Sequence, residues 1–344
     1  MFFEFINTGG INLIEVKNLI KQYGNQKAVD DLSFSLEKGK ILGFLGPNGA
    51  GKSTTMNIIT GYISATSGSV IIDGNDILKE PEKAKKSIGY LPEIPPLYPD
   101  MTTKEYLNFV ADIKGVKKPV KEHMILEIME LTKITDMADR LIKHLSKGYK
   151  QRVGLAGAIM GYPDLIILDE PTVGLDPMQI IEIRDLIKEL SKEHTVILSS
   201  HILSEVSTLC DLVMIINKGK LIVSDTPENL SKHMSATNRI YLMVHGEKET
   251  IESVLKNIDG IIHIEFEEEK EDGYIILTVE SEGSIEIRED IFYGLAAAQC
   301  PIYELKVTKK SLEDIFLELT KSEVEDDDQE KPEEYGEIKK EENQ

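Results

Sequence analysis

Residues 46–54 read Gly46-Pro47-Asn48-Gly49-Ala50-Gly51-Lys52-Ser53-Thr54. They fit the pattern G-x-x-x-x-G-K-[ST], in which glycines let backbone N–H groups turn inward around nucleotide phosphates and the lysine adds a positive charge. The apolar residues 41–45 predict a buried strand before the pattern, and residues 56–59 continue as a helix whose N-terminus faces the phosphates. This order of strand, loop and helix disfavours an incidental glycine-rich turn. The stretch therefore predicts an α/β fold with a P-loop core that binds a nucleoside triphosphate.

A second apolar run ends in two carboxylates. Residues 165–170 read Leu-Ile-Ile-Leu-Asp-Glu, which suits a central parallel strand. Because ligands of open α/β sheets bind beyond the carboxyl ends of strands, we expect both acids beside the phosphates. Asp169 is predicted to hold Mg²⁺, and Glu170 to accept a proton from the attacking water or to orient it. A solvated acidic strand end is the alternative, and the Pro-Thr-Val-Gly-Leu-Asp-Pro run at 171–177 disfavours it.

Two further motifs flank residues 165–170 in the sequence. Residues 145–152, Leu-Ser-Lys-Gly-Tyr-Lys-Gln-Arg, resemble the signature LSGGQ-x-x-R with two substitutions, and residues 196–201 form an apolar run that ends in a histidine. With these motifs in this order, residues 13–235 resemble the nucleotide-binding subunit of an ABC transporter. The resemblance implies ATP and Mg²⁺ as cofactors and ATP hydrolysis as the activity.

The resemblance also implies roles for individual residues. Lys52, Glu170 and His201 would be catalytic, with His201 at the γ-phosphate. Ser53 would join Asp169 as a ligand to Mg²⁺. Tyr23 matches the aromatic residue that stacks on adenine, although an ordinary loop tyrosine is an open alternative.

In this family ATP lies between two subunits arranged head to tail. Ser146 and Gly148 would therefore serve the nucleotide on the partner's P-loop, with Ser146 capping a helix and Gly148 permitting close backbone approach. Asp176 matches the acid of the loop that crosses to the partner subunit. The partners expected are a second nucleotide-binding domain, identical or different, and an integral membrane permease.

Three residues depart from the family pattern, and one of them is Tyr149, which stands where the signature usually has glutamine. Glu93 stands where the family usually has glutamine, and we expect it to reach Mg²⁺ and to take part in catalysis. Lys147 stands where glycine is usual in the signature. One hypothesis is that Lys147 offsets the charge of Glu93 across the dimer. The alternative is that Lys147 faces solvent.

Composition limits the remaining possibilities. The net charge of −21 argues against binding nucleic acid, which requires a basic face. No run approaches the roughly 18 apolar residues that cross a bilayer, and the first six residues do not resemble a secretion signal. The two cysteines, Cys210 and Cys300, are too few for a disulfide framework. We expect a cytoplasmic protein attached to the inner face of the membrane through the permease.

The patterns predict three regions. Residues 13–235 form the ATP-binding domain, an α/β core with a mixed sheet, with a helical subdomain inserted at about 90–155. Residues 238–320 show the order βαββαβ, which predicts a small α+β domain of the ferredoxin-like class, followed by a helix at 311–319. Residues 323–344 carry eleven acids and three bases and predict a disordered tail. Regulation, dimer contact and a purely structural role all remain open for the second domain.

Two function classes remain in view. The first is a transport ATPase that powers a separate permease, with export favoured because the closing helix resembles that of bacterial export ATPases. The second is a soluble ABC ATPase that acts on ribosomes or DNA. The second class usually has two P-loop halves or a long coiled-coil insertion, and this sequence shows neither.

Overall fold

The computed structural model describes residues 12–233, 237–269, 273–282 and 285–309. The first six residues, the proposed helix at 311–319 and the acidic tail at 323–344 lie outside these ranges. The chain divides into two units, Met1–Asn229 and Leu230–Gln344. Among the described residues, no helix has both the length and the apolar character needed to cross a bilayer.

The first unit alternates strands with helices along most of its length. Its strands are β1 (Asn12–Tyr23), β2 (Gln26–Glu37), β3 (Ile41–Leu45), β4 (Ser67–Ile72), β5 (Asn75–Asp76), β6 (Ile88–Leu91), β7 (Leu165–Asp169), β8 (Thr195–Ser200), β9 (Leu212–Asn217) and β10 (Lys220–Asp225). Its helices are α1 (Lys52–Ile59), α2 (Pro81–Lys86), α3 (Thr103–Ile113), α4 (Lys118–Leu131), α5 (Lys147–Ile159), α6 (Pro177–Leu190) and α7 (Leu203–Leu209), and α8 (Pro227–His233) spans the division between the units.

The central sheet has six strands in the order β10-β9-β3-β8-β7-β6. The five strands from β9 to β6 are parallel, and β10 is antiparallel to β9. Every residue of β3, β7 and β8 is buried, which explains the apolar runs at 41–45, 165–168 and 196–198. The predicted α/β core with a mixed sheet is therefore confirmed.

A separate antiparallel sheet, in the order β2-β1-β4-β5, packs its apolar face into the same core. Phe34 of β2 meets Phe44 of β3 edge to face, with ring centroids 5.2 Å apart. Such aromatic pairs favour one fixed separation and angle between the packed layers. The contact fixes the hairpin beside the strand that leads into the P-loop.

Three helices, α3, α4 and α5, occupy the chain between β6 and β7, where the sequence predicts a helical insertion. Thr102 caps the N-terminus of α3 in a capping box. Its hydroxyl accepts a hydrogen bond from the Glu105 N–H, and the Glu105 carboxylate accepts one from the Thr102 N–H. These hydrogen bonds lower the pKa of Glu105. The start of the insertion is therefore specified locally by its sequence.

The second unit contains β11 (Thr237–His245), α9 (Lys248–Lys256), β12 (Ile261–Glu269), β13 (Tyr274–Glu282), α10 (Arg288–Ala297) and β14 (Ile302–Lys309). This is the succession that the sequence predicts. The strands form an antiparallel sheet in the order β12-β13-β11-β14, and alternate residues of β11 and β13 pack against Ile251, Leu255 and Ile291 of the two helices. Its membership of the ferredoxin-like class stays a prediction.

The parallel strands determine where functional residues meet. The P-loop follows β3, Asp169 ends β7 and Glu170 follows it, His201 follows β8, and Glu93 lies two residues after β6. Because these strands are parallel, all four loops leave the sheet at its carboxyl edge.

Gly43 of β3 is closely packed against neighbouring side chains, and this packing leads to a testable prediction. A methyl group on Gly43 would lie 2.2 Å from Cγ1 of Val206 and 2.7 Å from Sγ of Cys210. We expect Gly43→Ala to lower the free energy of unfolding by about 1–3 kcal/mol, because the core must shift to admit the methyl group. Urea unfolding of the variant measures this loss.

Val206→Ala provides the matched control. It removes the methyl groups that clash, so the Gly43→Ala/Val206→Ala double variant should lose less stability than the sum of the two single losses. Additive losses would show that Gly43 and Val206 do not compete for this space.

Candidate active site

A cleft of about 290 Å³ opens at the carboxyl edge of the central sheet. It is lined by Pro47, Asn48, Gly49, Gly51, Lys52, Ser53 and Thr54 of the P-loop, and by Ala28, Glu93, Glu170, Val173 and His201. The structure thus brings most of the predicted P-loop together with three predicted catalytic residues from other loops. Gly46 and Ala50, also predicted to bind nucleotide, do not line the cleft; Ala50 is buried, and a methyl group on Gly46 would lie 2.5 Å from the Ile216 carbonyl oxygen.

The P-loop ends where α1 begins, at Lys52. Gly51 has φ 103°, a left-handed value, and a methyl group on it would lie 2.4 Å from the carbonyl oxygen of Ala28. Glycine is therefore required there for conformation and for space. The ammonium of Lys52 is buried and donates to the carbonyl oxygen of Gly46 at 2.7 Å.

The carboxylate of Glu170 lies between the two other catalytic candidates. Its Oε1 is 3.4 Å from Nζ of Lys52, and its Oε2 is 2.9 Å from Nδ1 of His201. The Glu170 side chain is only 9% exposed, whereas that of His201 is 45% exposed. The arrangement fixes a buried carboxylate at the P-loop with one ring nitrogen of His201 directed at it.

The backbone of Glu170 is held in an unusual conformation. Its φ is 48°, a value that few residues other than glycine adopt. Its N–H donates to Oγ of Ser199 at 2.9 Å, and the Ser199 hydroxyl in turn donates to Asp169. Strained residues held by surrounding bonds are concentrated at functional sites. Ser199 thus aligns both acids, a role that the sequence motifs do not reveal.

Only two of the three predicted Mg²⁺ ligands line the cleft. Ser53 and Glu93 line the cleft, whereas Asp169 is buried at the end of β7. No cluster of three or more acidic, histidine or cysteine side chains within the described residues forms a metal cage. Mg²⁺ is typically held by one or two carboxylates together with substrate phosphates, so this oxygen donor set fits the ion.

Four further predicted nucleotide contacts, from outside the P-loop, do not line this cleft. Tyr23 is 53% exposed at the end of β1, and the ammonium of Lys21 lies 5.0 Å from its ring centroid. Ser146 caps α5, accepting the Tyr149 N–H at 3.4 Å, and Asp176 caps α6. The side chain of Gln179 fills the space beside Gly148, 2.6 Å from where a methyl group would lie. Glycine is therefore required at position 148 for packing within this subunit.

Lys147 extends toward the loop that precedes Asp176. A methyl group on Gly174 would lie 2.0 Å from Nζ of Lys147, so the ammonium covers this loop in its own subunit. The side chain is otherwise exposed. Its coupling to Glu93 across a dimer stays a prediction.

A further buried acid, Glu205 of α7, connects three parts of the site. Its Oε2 accepts the hydroxyl of Thr172 at 2.7 Å and that of Ser200 at 3.1 Å, while Oε1 lies 3.5 Å from Nη2 of Arg184. Glu205 is 2% exposed. Thr172 lies two residues after Glu170 and Ser200 precedes His201, so Glu205 joins the loops that carry these two catalytic candidates to α6. The sequence signal was an acid among the buried apolar residues of α7.

Comparison with known proteins identifies the family to which this chain belongs. The ABC transporter family matches residues 29–173. The uncharacterized ABC transporter ATP-binding protein YhcH of Bacillus subtilis is 39% identical over 311 residues, which cover 90% of this chain and 96% of that protein. The chain belongs to the ABC transporter ATP-binding proteins. As a member of this family, the chain is a nucleotide-binding ATPase.

Two further similarities extend the comparison of this ABC protein. The bacitracin transport ATP-binding protein BcrA of Bacillus licheniformis is 42% identical over 232 residues, covering 67% of this chain and 74% of that protein. The solved dimeric structure of a bacterial ABC transporter cassette has a TM-score of 0.58 and 25% identity, covering 62% of this chain and 98% of that one.

The buried position of Glu205 generates a second prediction. Glu205→Ala should lower the free energy of unfolding by about 3–5 kcal/mol, because it leaves Arg184 without its buried partner. Glu205→Gln keeps two polar atoms at the same place and should cost less. Urea unfolding at neutral pH measures both losses.

Glu189→Ala is the matched control for this prediction. Glu189 pairs with Lys192 on the surface of the protein, and its side chain is 54% exposed. Its removal should cost at most about 1 kcal/mol. Equal losses for Glu205→Ala and Glu189→Ala would contradict the connecting role of Glu205.

Proposed function

We propose that this ATPase powers a separate membrane-spanning permease, for export. The observation that carries the proposal is the contact of Glu170 with Lys52 and His201 at the P-loop. The related BcrA protein is a bacitracin transport ATP-binding protein, which supports transport of this kind. The protein would then lie on the cytoplasmic face of the membrane, attached through the permease.

In the proposed mechanism, the P-loop N–H groups and Lys52 bind the β- and γ-phosphates. Glu170 accepts a proton from the attacking water or orients it, and His201 holds the Glu170 carboxylate and meets the γ-phosphate. Mg²⁺, when bound to Ser53, Asp169 and Glu93, would neutralise charge that develops on the phosphates. Tyr23, exposed at the end of β1, is proposed to stack on adenine.

We propose further that ATP is bound between two such subunits, identical or different. Ser146, Gly148 and Asp176 lie outside the cleft of their own subunit, which suits contacts with the partner's nucleotide. Ser146 is exposed at the N-terminus of α5, where the helix dipole favours a phosphate. The dimeric structure of the similar cassette supports this assembly.

For the C-terminal unit we propose regulation or dimer contact, and a purely structural role is the alternative. A soluble ATPase acting on ribosomes or nucleic acid is the second candidate for the whole protein. The net charge of −21 disfavours it, because nucleic-acid binding requires neutralisation of phosphates. Co-purification with a membrane subunit separates the two candidates.

The general-base assignment predicts the behaviour of Glu170→Gln. This variant should bind ATP with unchanged or higher affinity, because Lys52 and the P-loop are intact. Its rate of hydrolysis should fall by about 10²–10⁴-fold, because an amide cannot take the proton. Nucleotide binding and phosphate release, measured on the same preparation, test both expectations.

Glu189→Gln, at an exposed position, is the control for the loss of one negative charge. Its rate of ATP hydrolysis should equal that of the wild type. Wild-type turnover by pure Glu170→Gln protein would refute the assignment of Glu170 as base.

The proposed dimer predicts complementation between two inactive variants. Ser146→Arg replaces the residue that would contact the partner's nucleotide. Lys52→Ala removes the phosphate-binding lysine from the P-loop of its own subunit. Each homodimer then has two damaged sites, whereas a mixed dimer has one intact site. An equal mixture should recover up to about a quarter of the wild-type rate if single sites turn over independently.

Steady-state ATPase assays of the mixture and of each variant alone test this expectation. Mixing Lys52→Ala protein with wild type gives the dilution baseline. ATPase activity of Ser146→Arg protein as a monomer would show that Ser146 does not complete a partner's site.

A further inference from the structure

Strand β14 lies at one edge of the sheet of the second unit, whose strand order is β12-β13-β11-β14. Among the described residues its one ladder partner is β11, so the backbone groups on its other side face no strand. Its pairing with β11 is regular from Glu304 to Lys309. A regular edge strand of this length is a template on which another chain can pair.

The two edges of this sheet differ in charge. The other edge strand, β12, has four glutamates among its last five residues, 265–269. Two copies of β12 side by side would place like charges opposite one another, which is destabilising. Strand β14 has one acid, Glu304, two bases, Lys306 and Lys309, and no proline. It therefore lacks the charge repulsion and the proline that commonly protect an edge strand.

Glu304 and Lys306 of β14 lie on the same face of the sheet, two residues apart. Glu304 is opposite Met243 on β11 and Lys306 is opposite Tyr241, so neither has a charged neighbour directly across that ladder. Both side chains are exposed, and neither forms an ion pair within the part of the chain that the structure describes. The acid and the base are thus accessible to a strand added at this edge.

The sequence of β14 is complementary to itself in one antiparallel register. With Leu305 on a two-fold axis perpendicular to the sheet, Glu304 of each copy lies opposite Lys306 of the other. This register gives two opposite-charge pairs, which stabilise neighbouring strands. An axis through Glu304 or through Lys306 would instead place two like charges opposite each other. Charge therefore favours the register about Leu305 over the two adjacent registers that keep the same faces of the sheet together.

Large apolar side chains are exposed beside this edge. Helix α10 packs against β14, and α9 packs against β12. Val307 of β14 is 41% exposed, and Phe292 of α10 is 54% exposed. A methyl group on Gly294 would lie 2.9 Å from Cγ1 of Val254 on α9, so Phe292, about 200° away around the helix, points away from α9. Exposed apolar side chains at one edge are typical of an interface between proteins.

The layer of helices also has room for a second copy. Two helices cover four strands on one face of the sheet, so each helix spans about two strands. Pairing of two β14 strands would therefore place the two α10 helices about two strand spacings apart, roughly 10 Å. This is the distance at which helices pack against each other. Phe292 would then lie between the two helices and lose its exposure to water.

We propose that β14 pairs with β14 of a second copy of this chain, antiparallel about Leu305, which joins two four-stranded sheets into one of eight strands. The self-complementary charges and the exposed apolar side chains identify the occupant as a second copy. The proposal deepens the dimer contact proposed for the C-terminal unit and rests on that part of the proposed function. Because this contact involves no nucleotide, the two copies associate in the absence of ATP.

Sedimentation of the full-length protein without nucleotide, over a range of concentrations, measures this association. Glu304→Lys and Lys306→Glu each turn two opposite-charge pairs into two like-charge pairs, and each should weaken the dimer by at least about tenfold. Glu304→Lys/Lys306→Glu exchanges the two charges and should restore the dimer. The controls Glu249→Lys and Lys256→Glu make the same changes in net charge on α9, which packs against β12, and should associate like the wild type.

A mixture of the two single variants tests the register directly. A mixed dimer has two lysines on one strand opposite two glutamates on the other, so the mixture should associate with about the wild-type affinity. Recovery on mixing also shows that both variants are folded. Single variants that associate like the wild type, growth of the wild type beyond a dimer, or no recovery in either the mixture or the double variant would each overturn the proposal.

The wild-type protein separates this inference from the proposed function. If it dimerises without nucleotide and the β14 variants dimerise equally well, the dimer contact stands and only the role of β14 fails. If it stays monomeric at every concentration, the dimer contact proposed for the C-terminal unit fails as well. The proposed transport function has its own readout, co-purification with a membrane subunit, which neither result changes.

Discussion

The contact of one buried carboxylate with Lys52 and His201 is the constraint around which the ATP-binding unit is organised. These residues come from three different loops, so their meeting depends on the central sheet. Strand β3 pairs with β8, and β8 with β7, so that Leu45 lies opposite Ser200, and Ser199 lies opposite Asp169. A shift in this register would move the carboxylate of Glu170 away from the lysine. The uninterrupted burial of these three strands opposes such a shift.

Buried hydrogen bonds then make the site rigid. Ser199 holds the strained backbone of Glu170 and the carboxylate of Asp169, and Glu205 holds the hydroxyls of Thr172 and Ser200. Buried polar groups are costly unless they are paired, so each of these bonds favours one arrangement of the catalytic loops over others. The strain at Glu170 persists because these bonds surround it.

Electrostatics explains how so acidic a chain can bind a triphosphate. Positive charge in the cleft is concentrated in Lys52 and the N-terminus of α1, which act at short range. Many of the acids in the described ranges, such as Glu82, Asp100 and Glu122, are exposed, so that water and salt screen their charges.

The sequence by itself determined the α/β core, the P-loop, the helical insertion and the βαββαβ succession, because these features depend on short spacings and on backbone conformations that few residues allow. It also placed the acids and the histidine at strand ends, where parallel pairing brings them together. Only the tertiary structure decided the roles of Ser199 and Glu205 and the packing of Gln179 on Gly148. These contacts join residues far apart in the chain, and no local pattern records which side chains will share a buried space.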